Sequence, residues 1–115
     1  MAVHDVGTDA FLKCWFAFET LAMPDTTDIR PLQEMMAEIY GIPVDEGAAR
    51  FRLGRLYGRR GRIVHDGDLR PVDARLQRYV EAVFVDVLRH RLGVPSALRA
   101  AKIATMSDFD LDQHL

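Results

Sequence analysis

Two residues in this 115-residue chain have the types and spacing for chemistry on a phosphate: Arg60 and His65, with four residues between them. Histidine is the side chain that exchanges protons most readily near neutral pH. Arginine offers a planar fork of donors that matches phosphate oxygens and keeps its charge at any working pH. Both stand in RLYGRRGRIVHDG, residues 55–67, within a region where six arginines fall between residues 50 and 62.

The total charge of −2 conceals this concentration. Residues 1–49 hold Lys13 and Arg30 against nine acids, a net of −7. Residues 50–70 hold seven arginines against Asp66 and Asp68, a net of +5, and residues 71–115 balance six against six. A local block of this kind points to an anionic substrate or partner. Its competing explanations are ordinary: a histidine near a helix C-terminus suits the helix dipole, and a lone arginine is a solvated charge.

The rest of the composition narrows the class. The length suits one domain, residues 1–115, with a core over about 8–105 and an acidic tail at 106–115. A single cysteine, Cys14, excludes an intramolecular disulfide and reads as a small buried hydrophobe in FLKCWFAF. No apolar run reaches the ~20 residues of a membrane span, and the N-terminus has no basic-then-apolar leader, so the cytoplasm is the default location. His4, His90 and His114 are scattered without ligand spacing, so no metal and no cofactor is expected.

Helical periodicity supplies the elements that must hold the pair. Phe11, Leu12, Trp15, Phe16, Phe18, Leu21 and Ala22 predict a central helix over 8–23, capped by Thr8 or Asp9 and ended by Pro24. Leu32, Met35, Met36, Ile39 and Tyr40 predict a second over 29–40, entered through the loop PDTTD and closed by Gly41 and Pro43. A third is read as continuous over 45–64, capped by Asp45, with Phe51, Leu53, Leu56, Tyr57, Ile63 and Val64 as its apolar positions. Asp66-Gly67-Asp68 then reads as a turn. A fourth spans 71–92, with Pro71 in its first turn, a stripe from Leu76 to Leu88, and Gly93 and Pro95 after it. A short helix at 96–105 and a mobile or weakly packed tail follow. No strand pattern competes, so the expected class is all-α, a bundle of four to five helices.

The third helix carries Gly54, Gly58 and Gly61, each costing up to ~1 kcal/mol against alanine in an exposed helix interior. Glycine at these positions suggests close approach of another helix, a second chain or a ligand. Arg60 and His65 are five positions apart, about 140° of rotation on an unbroken helix. They converge only if the helix ends before His65 or if they meet across a two-fold axis. Glu19 is the other polar residue of note. A carboxylate in so apolar a helix is rarely buried without a partner, and Arg60 or a neighbouring arginine is the expected one.

The segment LYGRRGRIVHDG, residues 56–67, resembles the signature of the HEPN superfamily, the higher-eukaryote and prokaryote nucleotide-binding domains. The motif is arginine, four to six residues, then histidine at the end of a core helix; Arg60-Gly-Arg-Ile-Val-His65 fits with four. Tyr57 ahead of it, the Ile63-Val64 pair before the histidine and the early Trp15-x-x-x-Glu19 segment are similar to the Apea-like branch, over roughly residues 10–92. The resemblance implies a HEPN-like bundle of four to five helices that forms a homodimer and is often a metal-independent endoribonuclease. By position, His65 would be the acid/base and Arg60 the phosphate clamp, with Glu19 and Tyr57 supporting them. RNA would be cut by its own 2′-hydroxyl, and Arg55, Arg59 and Arg62 would follow its backbone.

The resemblance also implies a place in bacterial defence, stress response or a toxin–antitoxin pair, with an antitoxin as a further protein partner. Gly61 stands where many members carry a polar residue that orients the histidine. A tyrosine two residues beyond the histidine, found in some toxins, is absent, since Gly67 occupies that position. Two alternatives therefore stand beside the nuclease. One is a catalytically silent module that binds RNA or a nucleotide. The other is a helical dimerisation domain whose basic block docks an acidic surface, its partner's or its own. The Apea-like resemblance also leaves open a chain that is a piece of a longer protein.

Overall fold

Period-3.6 apolar residues, short turns and positive-φ glycines build the chain into an all-α bundle. The computed structural model describes residues 6–23, 28–67, 72–104 and 111–115. Helix α1 is Val6–Ala22, α2 Arg30–Tyr40, α3 Val44–Phe51, α4 Leu53–Asp66, α5 Ala74–Arg91, α6 Arg99–Ala104 and α7 Leu111–His114. α1 lies along α5, α2 against α3, and α6 against α5.

The core follows the predicted stripes. Phe11, Trp15 and Phe18 of α1, Leu32 and Met36 of α2, and Leu76, Tyr79, Val80, Val83 and Val87 of α5 are fully buried. Each such side chain contributes about 1.5–3 kcal/mol by leaving water. Trp15 is their meeting point: Phe11 stacks on it at 6.3 Å between centroids, Phe18 meets it edge-on at 5.3 Å, and Tyr57 of α4 tilts against it at 5.9 Å.

The caps divide into expected and unexpected. Gly41 takes φ 64° and ends α2, with its N–H and that of Ile42 returning to Ala37 and Glu38 carbonyls. Gly93, at φ 70°, follows α5 in the same way. Thr8 is not a cap: α1 starts at Val6, and Thr8 lies buried within its first turns, with Asp9 after it. α5 begins three residues later than expected, capped by the Asp73 carboxylate, which accepts from the Arg75 N–H at 2.7 Å. The loop at 24–27, the Asp68 part of the expected turn and Pro71 lie outside the described residues.

The helix expected over 45–64 is two helices. Arg52 stands between them at φ 54°, ψ 35°. No glycine or proline marks the break; its cause is the way the last carbonyls of α3 are used. Arg52 Nη1 donates to Ala49 O at 2.8 Å and Arg50 O at 3.0 Å, and the buried Tyr79 hydroxyl donates to Phe51 O at 2.8 Å. With those acceptors taken, α3 ends and α4 leaves in a new direction.

A second buried node lies at the other end of α5. Asp86 is 0% exposed. Its carboxylate accepts from the Tyr40 hydroxyl at 2.6 Å, from Arg99 N–H at 2.9 Å and from Ala100 N–H at 3.0 Å. The Tyr40 oxygen in turn accepts from Ala101 N–H at 3.1 Å. Three donors of the first turn of α6 are thereby satisfied, and a negative charge faces its positive end. α6 is shorter than the 96–105 expected, and Leu98 before it takes φ 51°. Of the expected tail, the described part, 111–115, is packed: α7 lies on α5 with Leu111 only 7% exposed.

Two outcomes follow. Asp86→Ala leaves a tyrosine hydroxyl and two backbone N–H groups without their acceptor, and should cost roughly 3 kcal/mol or more in urea unfolding; Tyr40→Phe, losing one such bond, should cost about 1–2 kcal/mol. Alkaline pH is the second lever. Burial first, then the Asp86 hydrogen bond, pushes the pKa of Tyr40 up, and burial does the same for Tyr79. Folding holds both in the neutral form, so this contribution is intact below the unfolded tyrosine value of about 10 and is lost as pH rises beyond it. In a Tyr57→Phe background, tyrosinate absorbance should then rise together with loss of helix rather than ahead of it.

Candidate functional site

The apolar residues of α4 decide where its arginines point. Leu53, Leu56 and Ile63 are buried, which fixes the helix rotation. Arg59 lies three residues after Leu56 and four before Ile63, so it falls on the same inward side and is 3% exposed. Arg55 and Arg62 are exposed, and so is His65, in the last turn of α4.

Arg60 points to a different flank, toward α1. Its Nη2 stands 3.0 Å from Oε1 of Glu19, with the two side chains 18% and 32% accessible. The ion pair expected of Glu19 is therefore present, and it is between the two residues the sequence singled out. In this half-shielded setting the pair contributes about 1 kcal/mol at most, so its main effect is to orient the guanidinium. The Arg60 Nε is buried without a hydrogen bond among the described residues.

α4 runs unbroken through Asp66, and only then does Gly67 cap it at φ 68°, its N–H returning to Arg62 O. The first route by which Arg60 and His65 could converge, an end to the helix before His65, is thus closed. The two side chains leave the helix about 140° apart. Within one chain they do not share a site.

Gly54, Gly58, Gly61 and His65 follow one another at intervals of four, three and four, and so lie within an arc of about 60°. That face looks outward. Among the described residues, no atom beyond the helix's own backbone lies within 4 Å of where a Cβ would stand on Gly54 or Gly61, and Gly58 has only Arg62 Nη1, at 3.5 Å. The close approach that these glycines suggested is not made by another part of the described chain. Val64, 44% exposed, and the half-buried Tyr57 border the stripe on one side, with Arg55 and Arg62 on the other.

The arginines expected to line a strand of RNA are thus divided. Arg55 and Arg62 sit on the outer surface, whereas Arg59 is buried and is not presented to a ligand in this conformation. Arg59 Nη1 and Arg62 Nη2 both donate to the main-chain oxygen of Leu115, at 3.3 and 3.4 Å. Sequence reading missed this contact. The available signal was the Leu111/Leu115 pair, spaced to share one side of a helical turn inside the acidic tail.

Other chemistry is weakly represented. Among the described residues no three His, Cys, Asp or Glu side chains come together as metal ligands. Cys14 is half-buried, and burial is the main influence pushing its thiol pKa up, which disfavours the reactive thiolate. No described helix is long and apolar enough to cross a membrane. Compared with family models, with curated proteins and with solved structures, the chain matches none of them.

The glycine stripe yields its own test. In dilute protein, Gly54→Ala and Gly61→Ala should each stabilise the fold by roughly 0.5–1 kcal/mol in urea unfolding, because the added methyl meets open space and the unfolded chain loses freedom. Destabilisation instead would mean that something covers this face.

Proposed function

We propose that the chain is a metal-independent endoribonuclease of the HEPN type, cleaving single-stranded RNA in a cleft shared by two copies. The observation that carries this reading is the orientation of α4. His65 ends a glycine-lined outward face, while Arg60 is turned aside and held by Glu19. A second copy apposed along that face would pair two His65 side chains, and a helix face of glycines allows two backbones to approach closely.

The proposed reaction follows from the groups. One His65 takes the proton from the 2′-hydroxyl as its oxygen attacks phosphorus, and the other His65 gives a proton to the departing 5′-oxygen. The products are a 2′,3′-cyclic phosphate and a 5′-hydroxyl. Arg60 lends fixed positive charge to the phosphorane, and Glu19 keeps its fork aligned. Arg55 and Arg62 contact neighbouring phosphates. Such an enzyme would work in the cytoplasm, in bacterial defence or as the toxin of a toxin–antitoxin pair, with an antitoxin as its protein partner.

A second reading is a module of the same family type that binds RNA or another protein without cutting. Gly61 after Arg60 favours it, as does the engagement of Arg59, Arg60 and Arg62 by acceptors of their own chain.

Labelled single-stranded RNA incubated in EDTA separates the readings. The parent should leave cyclic phosphate ends, and His65→Ala and Arg60→Ala, matched for helix content, should each lose roughly 10²–10⁴-fold in rate. Binding without cleavage by the parent would favour the silent module, and absence of both would leave a helical interaction domain. Sedimentation showing a strict monomer at high micromolar concentration would remove the shared cleft.

A further inference from the structure

Three of the five large hydrophobic side chains exposed among the described residues fall within seven positions: Leu92 at 67%, Val94 at 41% and Leu98 at 41%. They belong to the connection between α5 and α6, in which residues 91–96 are exposed without interruption. A single apolar residue on a surface needs no explanation, but a group rimmed by polar side chains marks a docking surface.

The connection is held by its own hydrogen bonds. The N–H groups of Gly93 and Val94 return to His90 O at 3.1 Å and Arg89 O at 2.9 Å, and Arg89 Nε donates to Pro95 O at 2.7 Å. Beyond the proline, Leu98 N–H donates to Ser96 Oγ at 3.0 Å, and Asp86 holds the Arg99 N–H. Leu98 itself takes φ 51°, a left-handed conformation that strains leucine and would suit glycine. A strained backbone and exposed aliphatic side chains do not stabilise the fold. Presented on a fixed backbone, those side chains meet a partner with little ordering left to do.

The charges choose the partner. From Val87 to Ser107 the sequence holds Arg89, Arg91, Arg99 and Lys102 and no aspartate or glutamate. Arg91 and Arg99, on either side of the loop, are exposed. His90 faces Glu38 of α2 at 3.6 Å, so the basic rim ends on that side. A second copy would bring like charges together, which opposes self-association through this loop. Leu92, two-thirds exposed, stands on a convex surface and not in a groove that would seat a peptide. An anionic bilayer takes both features at once: aliphatic side chains enter the boundary between headgroups and acyl chains, and guanidinium groups meet the headgroup anions.

We propose that the 91–99 loop is a membrane-docking element, which seats Leu92, Val94 and Leu98 in the interface of an anionic bilayer while Arg91 and Arg99 hold its headgroups. This does not rest on the RNA reading: neither Arg60 nor His65 takes part, and the element serves a nuclease and a silent module alike.

The test is co-sedimentation of the full chain with vesicles of phosphatidylcholine containing roughly one-third phosphatidylserine, against phosphatidylcholine alone. The chain should bind the anionic vesicles and leave the neutral ones. Leu92→Ser with Val94→Ser, both surface changes, should weaken binding about tenfold or more. Arg91→Gln with Arg99→Gln should weaken it about 25-fold, at about fivefold for each cation. All are matched for helix content. Insertion is read separately: brominated acyl chains should quench the indole introduced by Val94→Trp, but not Trp15 in the buried core of the parent. That quenching, with weakened binding in both double variants, establishes the element. No binding of the parent to anionic vesicles overturns it. Binding without quenching, or binding that survives the loss of Leu92 and Val94, also overturns it, since charge attraction alone would then explain the result. A dimer that Leu92→Ser with Val94→Ser dissolves, without vesicle binding, would assign the loop to a second copy instead.

Discussion

A buried carboxylate, Asp86, organises this bundle. An ionised side chain removed from water is tolerated only where donors surround it. Here the donors come from two elements, Tyr40 from α2 and two N–H groups from the start of α6, and the carboxylate on α5 joins them. The consequences travel toward α4. Tyr40 is held by Asp86, and its ring lies 4.6 Å from that of Phe51 at the end of α3. The Phe51 carbonyl accepts from Tyr79, one helical stretch away from Asp86 on α5. That bond and the Arg52 guanidinium end α3 and set the direction of α4. The placement of the arginine-bearing helix is thus tied to a polar network that contains none of its residues.

The positive block of the sequence is not one patch in three dimensions. Helical geometry spreads it over different flanks: Arg59 inward, Arg60 toward α1, Arg62 toward the chain's end, and Arg55 outward. The surplus of acid in residues 1–49 meets part of it directly through Glu19. A block of net +5 is thereby partly neutralised inside its own fold, and its capacity for an external anion depends on which internal acceptors yield. Arg59 and Arg62 reach an oxygen of Leu115, just after α7, whereas Arg60 faces a carboxylate on the seventeen-residue α1.

What the sequence disclosed follows from how local each cause is. α1, α2 and α5 were legible because their apolar stripes are long and regular, and Gly41 and Gly93 because a left-handed C-cap favours glycine. The break at Arg52 was not legible, since it depends on Tyr79, 27 positions away. Asp86 was hidden inside VFVDVL, where five apolar neighbours draw attention from the single acid. At the candidate site the Glu19–Arg60 pair was readable, because a carboxylate in an apolar helix demands a cation. The burial of Arg59 was readable in principle from Leu56 and Ile63 at three and four positions away, but composition alone favours exposed arginine.

The continuity of α4 through Asp66 constrains every functional reading. If the helix had unwound before His65, one chain could have gathered Arg60 and His65 around a single phosphate. Because it does not, a monomer offers a proton-transfer group on one face and an oriented cation on another. Five residues of helix separate the two by about 7.5 Å along the axis as well as 140° around it. A second copy apposed along the glycine face would bring another His65 near the first, with Arg55 and Arg62 of each chain bordering the shared face and each Arg60 held by Glu19 on the flank behind it. The same glycines that weaken α4 as a helix keep that face free of side chains that would hold a second helix away. The stability lost at Gly54, Gly58 and Gly61 has no compensation within the described chain, and an intermolecular contact there would supply one.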